Sequence, residues 1–397
     1  MSSGSQPILR SIDNAADIPR LHGVLWRDYS DFLLHRRAWN ALVGTIPGAS
    51  VFLRHEWFDA AWQWAQRDSQ LYVLAFFDGE ALVGIAPLIV QRERTPLRLR
   101  RLSFLTVPDT QVCDVIVRAS LRKPVLEALA QELRARRAHW DLIELGYLPR
   151  AAADELAERF GAAGLLAHTG DQGANPSITL SGGWDAYYGR RSRRLKKGNN
   201  LIANKLEKSG RKVELEQLDC TTDWDGDVES LVQRLVSVSA RSWKQDTRMS
   251  LDFAGPNAFI RRLSEHAARE GWLSLWFLSL GGDTVAMEYQ LRYGGDVHAL
   301  RSDFDAAAGE LSPGTYLNWQ MLQRLFDSGA TRYLMGPGDN RYKLRWAEEY
   351  DPIARLTVYG TSPAGRCKRL ADTVLRPWAR ALRRRLRPTS ENQEDSP

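Results

Sequence analysis

Residues 272–304 read WLSLWFLSLGGDTVAMEYQLRYGGDVHALRSDF, and this stretch decides the fold. Two glycine pairs, Gly281-Gly282 and Gly294-Gly295, divide it into three apolar runs. A glycine pair between such runs is a turn signal, so the stretch predicts a three-stranded meander: Trp272–Leu280, Thr284–Tyr293 and Val297–Phe304. Downstream the hydrophobic period changes. After the loop Asp305–Pro313, Tyr316–Phe326 places Leu317, Met321, Leu322 and Leu325 on one helical stripe. A strand at Tyr333–Met335 leads into Gly336-Pro337-Gly338, followed by a short helix at Tyr342–Glu349 and a closing strand at Ile353–Tyr359.

The first half of the chain repeats this order. Leu71–Phe77 and Ala81–Gln91 flank an Asp78-Gly79 turn, and a further strand at Leu97–Val107 follows. A helix at Lys123–Arg137 carries Val125, Leu126, Leu129 and Leu133, and a strand at Trp140–Leu145 closes the series. The reading is a duplicated α/β domain with its boundary in the Gly/Asn/Pro-rich stretch Gly164–Gly183. That divides the chain into a first domain, 1–175, a second, 176–360, and a basic tail, 361–397. Two helices belong to the second domain: Trp184–Ser209, interrupted at Gly198-Asn199-Asn200, and Val228–Trp243. In the tail, Leu370, Val374, Trp378, Leu382 and Leu386 form a stripe that Pro377 interrupts, predicting a partial helix followed by disorder.

Composition excludes several classes. The 397 residues are 44% hydrophobic and 26% charged, which suits a globular chain of two to three domains and not a disordered one. Apolar charge-free runs such as Ala81–Gln91 and Gly271–Gly282 are too short for a membrane span. Three separated cysteines, Cys113, Cys220 and Cys367, and the lack of an apolar leader point to the cytoplasm. No GxSxG or GxxxxGK[ST] motif occurs, and no two of the seven histidines fall within four residues of each other. A nucleophile elbow, a Walker-type phosphate loop and a zinc helix are therefore unsupported, and no metal site is expected. The net charge of +6 is uneven: Arg190–Lys212 carries +9 and Thr361–Pro397 carries +5, leaving −8 elsewhere. Attraction to an anion is accordingly local. Arg190–Lys212 is one candidate place for it, and a membrane surface suits the basic tail.

What remains is the junction Glu310-Leu311-Ser312-Pro313-Gly314-Thr315-Tyr316. Small residues there let a ligand approach the backbone, and the first-turn amides of the helix that follows attract anions such as a pyrophosphate. A second reading is plain N-capping by Ser312 with proline at the first helical position.

In this order of elements Trp272–Tyr359 resembles the GNAT acyltransferase fold. The chain as a whole resembles the duplicated-GNAT group, which includes CelD-type proteins and the Fem peptidyltransferases. The sharpest stretches are Leu311–Gly314 and Gly338–Trp346. The usual Arg/Gln-x-x-Gly-x-Gly/Ala phosphate motif is reduced here to Ser-Pro-Gly-Thr. The resemblance implies tandem GNAT-like domains, each a mixed, mostly antiparallel sheet flanked by helices, with donor binding kept only in the second. It implies acyl-CoA as a co-substrate, no tightly bound cofactor, and transfer to an amine or hydroxyl of a small metabolite or sugar. Two further readings stay open: an aminoacyl-tRNA-dependent ligase, and a non-catalytic accessory of polysaccharide biosynthesis. The Fem-like resemblance implies a tRNA or an anionic glycan as the partner of Arg190–Lys212. The donor would meet Ser312, Gly314, Thr315, Tyr316, Asn340 and Lys343. Tyr342 matches the family position for the acid that protonates the leaving thiolate. Candidate bases are Glu288, His298 and Asp303; alternation puts Glu288 and Gln290 on one face with Ala286, with Glu288 expected to face solvent.

Overall fold

Gly281, Gly282, Gly294 and Gly295 all adopt positive φ in the computed structural model, which is why only glycine suits both turns. The structure describes residues 21–93, 98–221, 224–338, 340–376 and 378. The first half runs β1 (Leu21–Trp26), α1 (Tyr29–Leu34), α2 (Arg36–Val43), α3 (His55–Ala65), β2 (Ser69–Leu71), β3 (Val73–Asp78) and β4 (Ala81–Ala86). It continues through β5 (Leu88–Arg92), β6 (Arg100–Phe104), β7 (Ile116–Val117), α4 (Arg122–Ala135), β8 (Leu142–Pro149), α5 (Arg150–Ala162) and β9 (Ala167–Thr179). The second half opens with α6 (Trp184–Gly189), α7 (Arg193–Lys208), β10 (Val213–Asp219), α8 (Val228–Ala240) and α9 (Ala254–Arg269). The meander β11 (Leu273–Leu280), β12 (Asp283–Tyr293) and β13 (Asp296–Phe304) follows. Then come α10 (Pro313–Leu325), β14 (Arg332–Leu334), α11 (Arg341–Trp346), β15 (Glu349–Tyr359) and α12 (Pro363–Leu370).

Each half therefore carries strand, helices, a run of antiparallel strands, helix, strand, helix, strand. The halves share one sheet of eleven strands in the order β10-β11-β12-β13-β14-β9-β15-β8-β6-β5-β2, and β1, β3, β4 and β7 form a separate small sheet. Two apolar clusters cover the two faces of the second half's strands. Trp276, Ala286 and Val297 pack with Leu317 and Met321 of α10, whereas Met287, Tyr289 and Leu291 pack with α8, α9 and the first half.

Three expectations change. Gly164–Gly183 is not a linker: most of it is β9, so the boundary at 175/176 falls inside a strand. That strand pairs with both β14 and β15, and backbone bonds on its two edges hold a sequence of poor strand propensity. Gln172 is the extra residue of a bulge, beside Gly173 at φ 102. Ala81–Gln91 is broken at Pro87, which lacks the ladder donor, and its parts β4 and β5 enter different sheets. The helix break after Trp184 falls at Arg190–Ser192 and not at Gly198-Asn199-Asn200. Ser192 Oγ caps the amide of Leu195 at 3.2 Å, and Asn199 turns inward to the Tyr188 hydroxyl at 3.1 Å, so α7 runs unbroken through the glycine. In the tail, Leu370, Val374 and Trp378 are exposed, while Leu382 and Leu386 lie outside the described residues.

The shared sheet makes a stability prediction. A fragment spanning 176–360 keeps the β9 residues that pair with β14 but lacks residues 167–175 of that strand and all of β8, leaving β15 without most of its partners. We expect it to lose the sigmoidal urea unfolding that the full chain shows by circular dichroism; a cooperative transition in the fragment would contradict the shared-sheet account.

Candidate active site

The parallel strands β13 and β14 pair over only three positions, Asp296 with Arg332, Val297 with Tyr333 and His298 with Leu334. Beyond them β13 continues to Phe304 while β14 ends, so the strands part. The backbone groups freed there find other partners. Met335 N–H donates to Pro176 O at 2.9 Å, and the Gln111 amide Nε2 donates to Ala299 O at 2.8 Å. Lys343 Nζ donates to Gly336 O and Pro337 O, both at 3.0 Å, and so fixes the loop after β14.

Glu288 sits on β12 next to this parting. It is 1% exposed, against the expectation of a solvent-facing side chain, because α10 and the Tyr333 side chain cover that face of the sheet. Oε1 accepts from Tyr333 Oη at 2.5 Å and Gln290 Nε2 at 2.8 Å, and Oε2 accepts from Ser302 Oγ at 2.7 Å. One lone pair of Oε2 is left over. Burial pushes the carboxyl's pKa up, although the three hydrogen bonds and the nearby Lys343 charge oppose it. Tyr342 opens α11 with its ring 39% exposed. Its hydroxyl is desolvated and faces the charge of Glu288, and both effects raise its pKa far above the ordinary phenol range. Burial lowers Lys343 to about 8, with Glu288 opposing and Lys244 assisting.

The other candidate bases lie elsewhere. Register pairs His298 with Leu291 and Asp303 with Met287, which places both on the sheet face opposite Glu288. Asp303 is buried against the ammonium of Lys244, which also donates to Ser302 O at 3.2 Å. His298 Nδ1 meets Gln111 Oε1 at 3.2 Å, and burial lowers its pKa to about 4. The structure thus gathers Glu288, Tyr342 and Lys343 and separates them from His298 and Asp303. Tyr333, Ser302, Lys244 and Gln111 complete the surroundings and were not singled out from sequence. Alternation along β13 could have found Ser302 opposite Glu288, whereas nothing local marks Gln111, 187 residues from His298.

At the start of α10, Ser312 is left-handed at φ 51 and its side chain makes no cap bond, so plain N-capping by Ser312 is not what is built. Such a conformation in a non-glycine residue costs about 1–3 kcal/mol. Thr315 and Tyr316 N–H groups both donate to Ser312 O, at 3.1 and 3.2 Å, and Pro313 has no N–H. The Gly314 amide alone is left, and a Cβ on Gly314 would come within 3.1 Å of the Phe304 ring. Thr315 is exposed and Tyr316 partly so, while Asn340 is exposed ahead of α11 without capping it. Lys343 points inward to the carbonyls described above. The basic helix α7 flanks this junction: Lys205 Nζ reaches Glu310 O at 3.5 Å, and Arg193, Arg194, Lys197 and Lys208 are exposed along it. Arg191 is different in kind, donating to Trp346 O at 3.0 Å and Glu348 at 2.6 Å and covering the Tyr187 ring.

The Lys343 shift sets a pH dependence. A lysine that titrates near 8 when folded and at the ordinary lysine value of 10.5 when unfolded leaves the unfolded chain holding more protons between those values. Stability therefore rises with pH over that interval. Urea midpoints measured from pH 8 to 10 are expected to climb more steeply for the natural chain than for Lys343→Met; equal slopes would remove Lys343 as the cause.

Among the described residues, no helix is long and apolar enough to cross a membrane. Residues 201–344 match the acetyltransferase (GNAT) domain family. No curated protein matches the chain by sequence. Solved structures do match in fold. The crystal structure of FemX is 11% identical at a TM-score of 0.52, over 80% of this chain and 95% of that one. L-PGS from Bacillus licheniformis is 13% identical at 0.52, over 85% and 93%. The C-terminal domain of a putative lysylphosphatidylglycerol synthetase from Agrobacterium fabrum is 12% identical at 0.53, over 86% and 97%. Residues 201–344 thus match the GNAT acetyltransferase domain family, in a chain whose mixed α/β fold is similar to that of these structures.

Proposed function

We propose that the second half transfers an acyl group from acyl-CoA to an amine, or a hydroxyl, of a small metabolite or sugar. The observation that carries this reading is a buried carboxylate, Glu288, bonded to Tyr333, Gln290 and Ser302 where β13 and β14 part, with its charge felt at Tyr342. In the step proposed, the acceptor nitrogen attacks the thioester carbonyl, forming the N–C bond, and its proton passes to the free lone pair of Glu288. The raised pKa of Glu288 makes it a better base than an exposed glutamate. Collapse of the tetrahedral intermediate breaks the C–S bond, and Tyr342 protonates the departing sulfur. Its raised pKa keeps Tyr342 protonated, and so able to donate, at neutral pH. The first half contributes Gln111 to the floor of the parting and no donor junction of its own.

A second reading, aminoacyl transfer from an aminoacyl-tRNA, is favoured by one observation: α10 offers a single free amide to a diphosphate, whereas α7 beside it offers Arg193, Arg194 and Lys197 to a polyanion. Arg190 and Arg191 serve poorly for that purpose because both are paired with Glu348.

Acetyl-CoA and longer acyl-CoA esters are expected to raise the melting temperature in proportion to affinity. Tyr342→Phe should lower kcat roughly a hundredfold with KM little changed, and Glu288→Gln should lower kcat at least as much. Turnover unchanged in both variants would sink the mechanism. Under the second reading, replacing Arg193, Arg194 and Lys197 with alanine abolishes tRNA retention on filters and flattens its salt dependence; no tRNA retention by the natural chain rejects that reading.

A further inference from the structure

On the sheet face opposite Glu288, the two halves enclose a cavity of about 900 Å³. Its walls are mostly apolar, formed by Ile46, Phe52 and Leu53 of the first half and by Tyr293, Leu334 and Ile353. Gln111, Asn175 and His298 stand among them. A large apolar cavity with few polar groups has the character of a small-molecule site.

The hydrogen bonds fix what those polar groups present. Gln111 Nε2 donates to Ala299 O at 2.8 Å, so its Oε1 must be the acceptor facing His298 Nδ1 at 3.2 Å. Nδ1 therefore carries the imidazole proton, and Nε2 is a bare lone pair. The ring is 3% exposed and neutral at ordinary pH, burial having lowered its pKa to about 4. Phe52 holds it edge-on at 5.2 Å between ring centroids. Nε2 has no partner among the described residues. Asn175 is pinned in the same way: its Nδ2 donates to Gln111 O at 2.7 Å, which leaves Oδ1 buried without a partner. One buried acceptor without a donor, Asn175 Oδ1, stands in the same cavity wall as His298, and both side chains are positioned by Gln111.

Charge narrows the ligand. Asp296 and Asp114 in the cavity wall are matched by Arg332 at 2.5 Å and Arg122 at 2.9 Å. The remaining charged lining residues, the exposed Asp351, which acts on Arg332, and Arg150, are of opposite sign, so the wall holds no buried unpaired charge for a cation. We propose that this cavity is a second ligand site, independent of the chemistry around Glu288, for a neutral hydroxyl-bearing molecule with an apolar body that donates a hydrogen bond to His298 Nε2. Asn175 Oδ1 borders the same wall as a further acceptor.

The test uses the full chain and three small probes of one shape: cis-cyclohexane-1,2-diol, its dimethyl ether, and 2-aminocyclohexanol. With ¹⁵N-labelled histidine, the Nε2 resonance of His298, assigned by its disappearance in His298→Phe, is followed through each titration. The diol is expected to shift that resonance saturably, the ether to leave it in place, and the amine to bind no better than the diol. His298→Phe keeps the contact with Phe52 and should weaken diol binding about tenfold. Equal response to diol and ether, no saturable shift, or unchanged diol affinity in the variant overturns the proposal. Tighter binding of the amine overturns the neutral class. The comparison of diol with ether in the natural chain stands even if the variant does not fold.

Discussion

The short pairing of β13 with β14 is the constraint on which the rest depends. Three residues of parallel ladder leave backbone groups on both strands with no neighbour, and a buried unpaired peptide group costs about 1–3 kcal/mol. The chain answers with parts drawn from far away in sequence. Pro176 O takes the amide of Met335, Gln111 takes the carbonyl of Ala299, and Lys343 takes the carbonyls of Gly336 and Pro337. The parting is thereby held open as a defined gap, with Lys244 and Asp303 on one face and Glu288 with Tyr342 on the other.

Holding the gap open requires charged groups in the core, and their arrangement shows how that is tolerated. Glu288 has three donors on its two oxygens, and removing one partner from such a buried group costs about 3–5 kcal/mol by analogy with buried ion pairs. Lys343 is desolvated beside it without a direct contact, so each charge moderates the other at a distance. The network is rigid where Tyr333, Gln290 and Ser302 fix the carboxylate, and exposed only at the Tyr342 ring.

Much of the second half was legible because its signals are local. Gly-Gly turns sit between alternating apolar runs, and the stripe through Leu317, Met321, Leu322 and Leu325 is buried as its spacing implies. That Glu288 shares a face with Ala286 and Gln290 was legible too, since a period of two fixes it. That this face is covered was not, because the cover comes from α10 and from Tyr333, 45 residues from Glu288. The strand Ala167–Thr179 was illegible for the same reason. Its glycines, Asn175 and Pro176 speak against a strand, and only pairing on both edges makes it one. Glycine misled in the other direction at Gly198, where helix α7 continues because Leu195, Asn199 and Leu206 are buried on one side.

The position of β15 between β9 and β8 has a consequence for the chain as it leaves the ribosome. Until residues 349–359 have emerged, β8 and β9 each present an open edge, and these edges belong to a first half whose synthesis finished long before. Exposed edges of this kind template pairing between molecules. Completion of the sheet is a last event that closes both edges at once, with a strand separated from β8 by about two hundred residues. A message cut short upstream of that strand therefore yields a sticky intermediate and not a smaller working protein, so the cell's chaperones, and not only its proteases, have a stake in the final turn of synthesis.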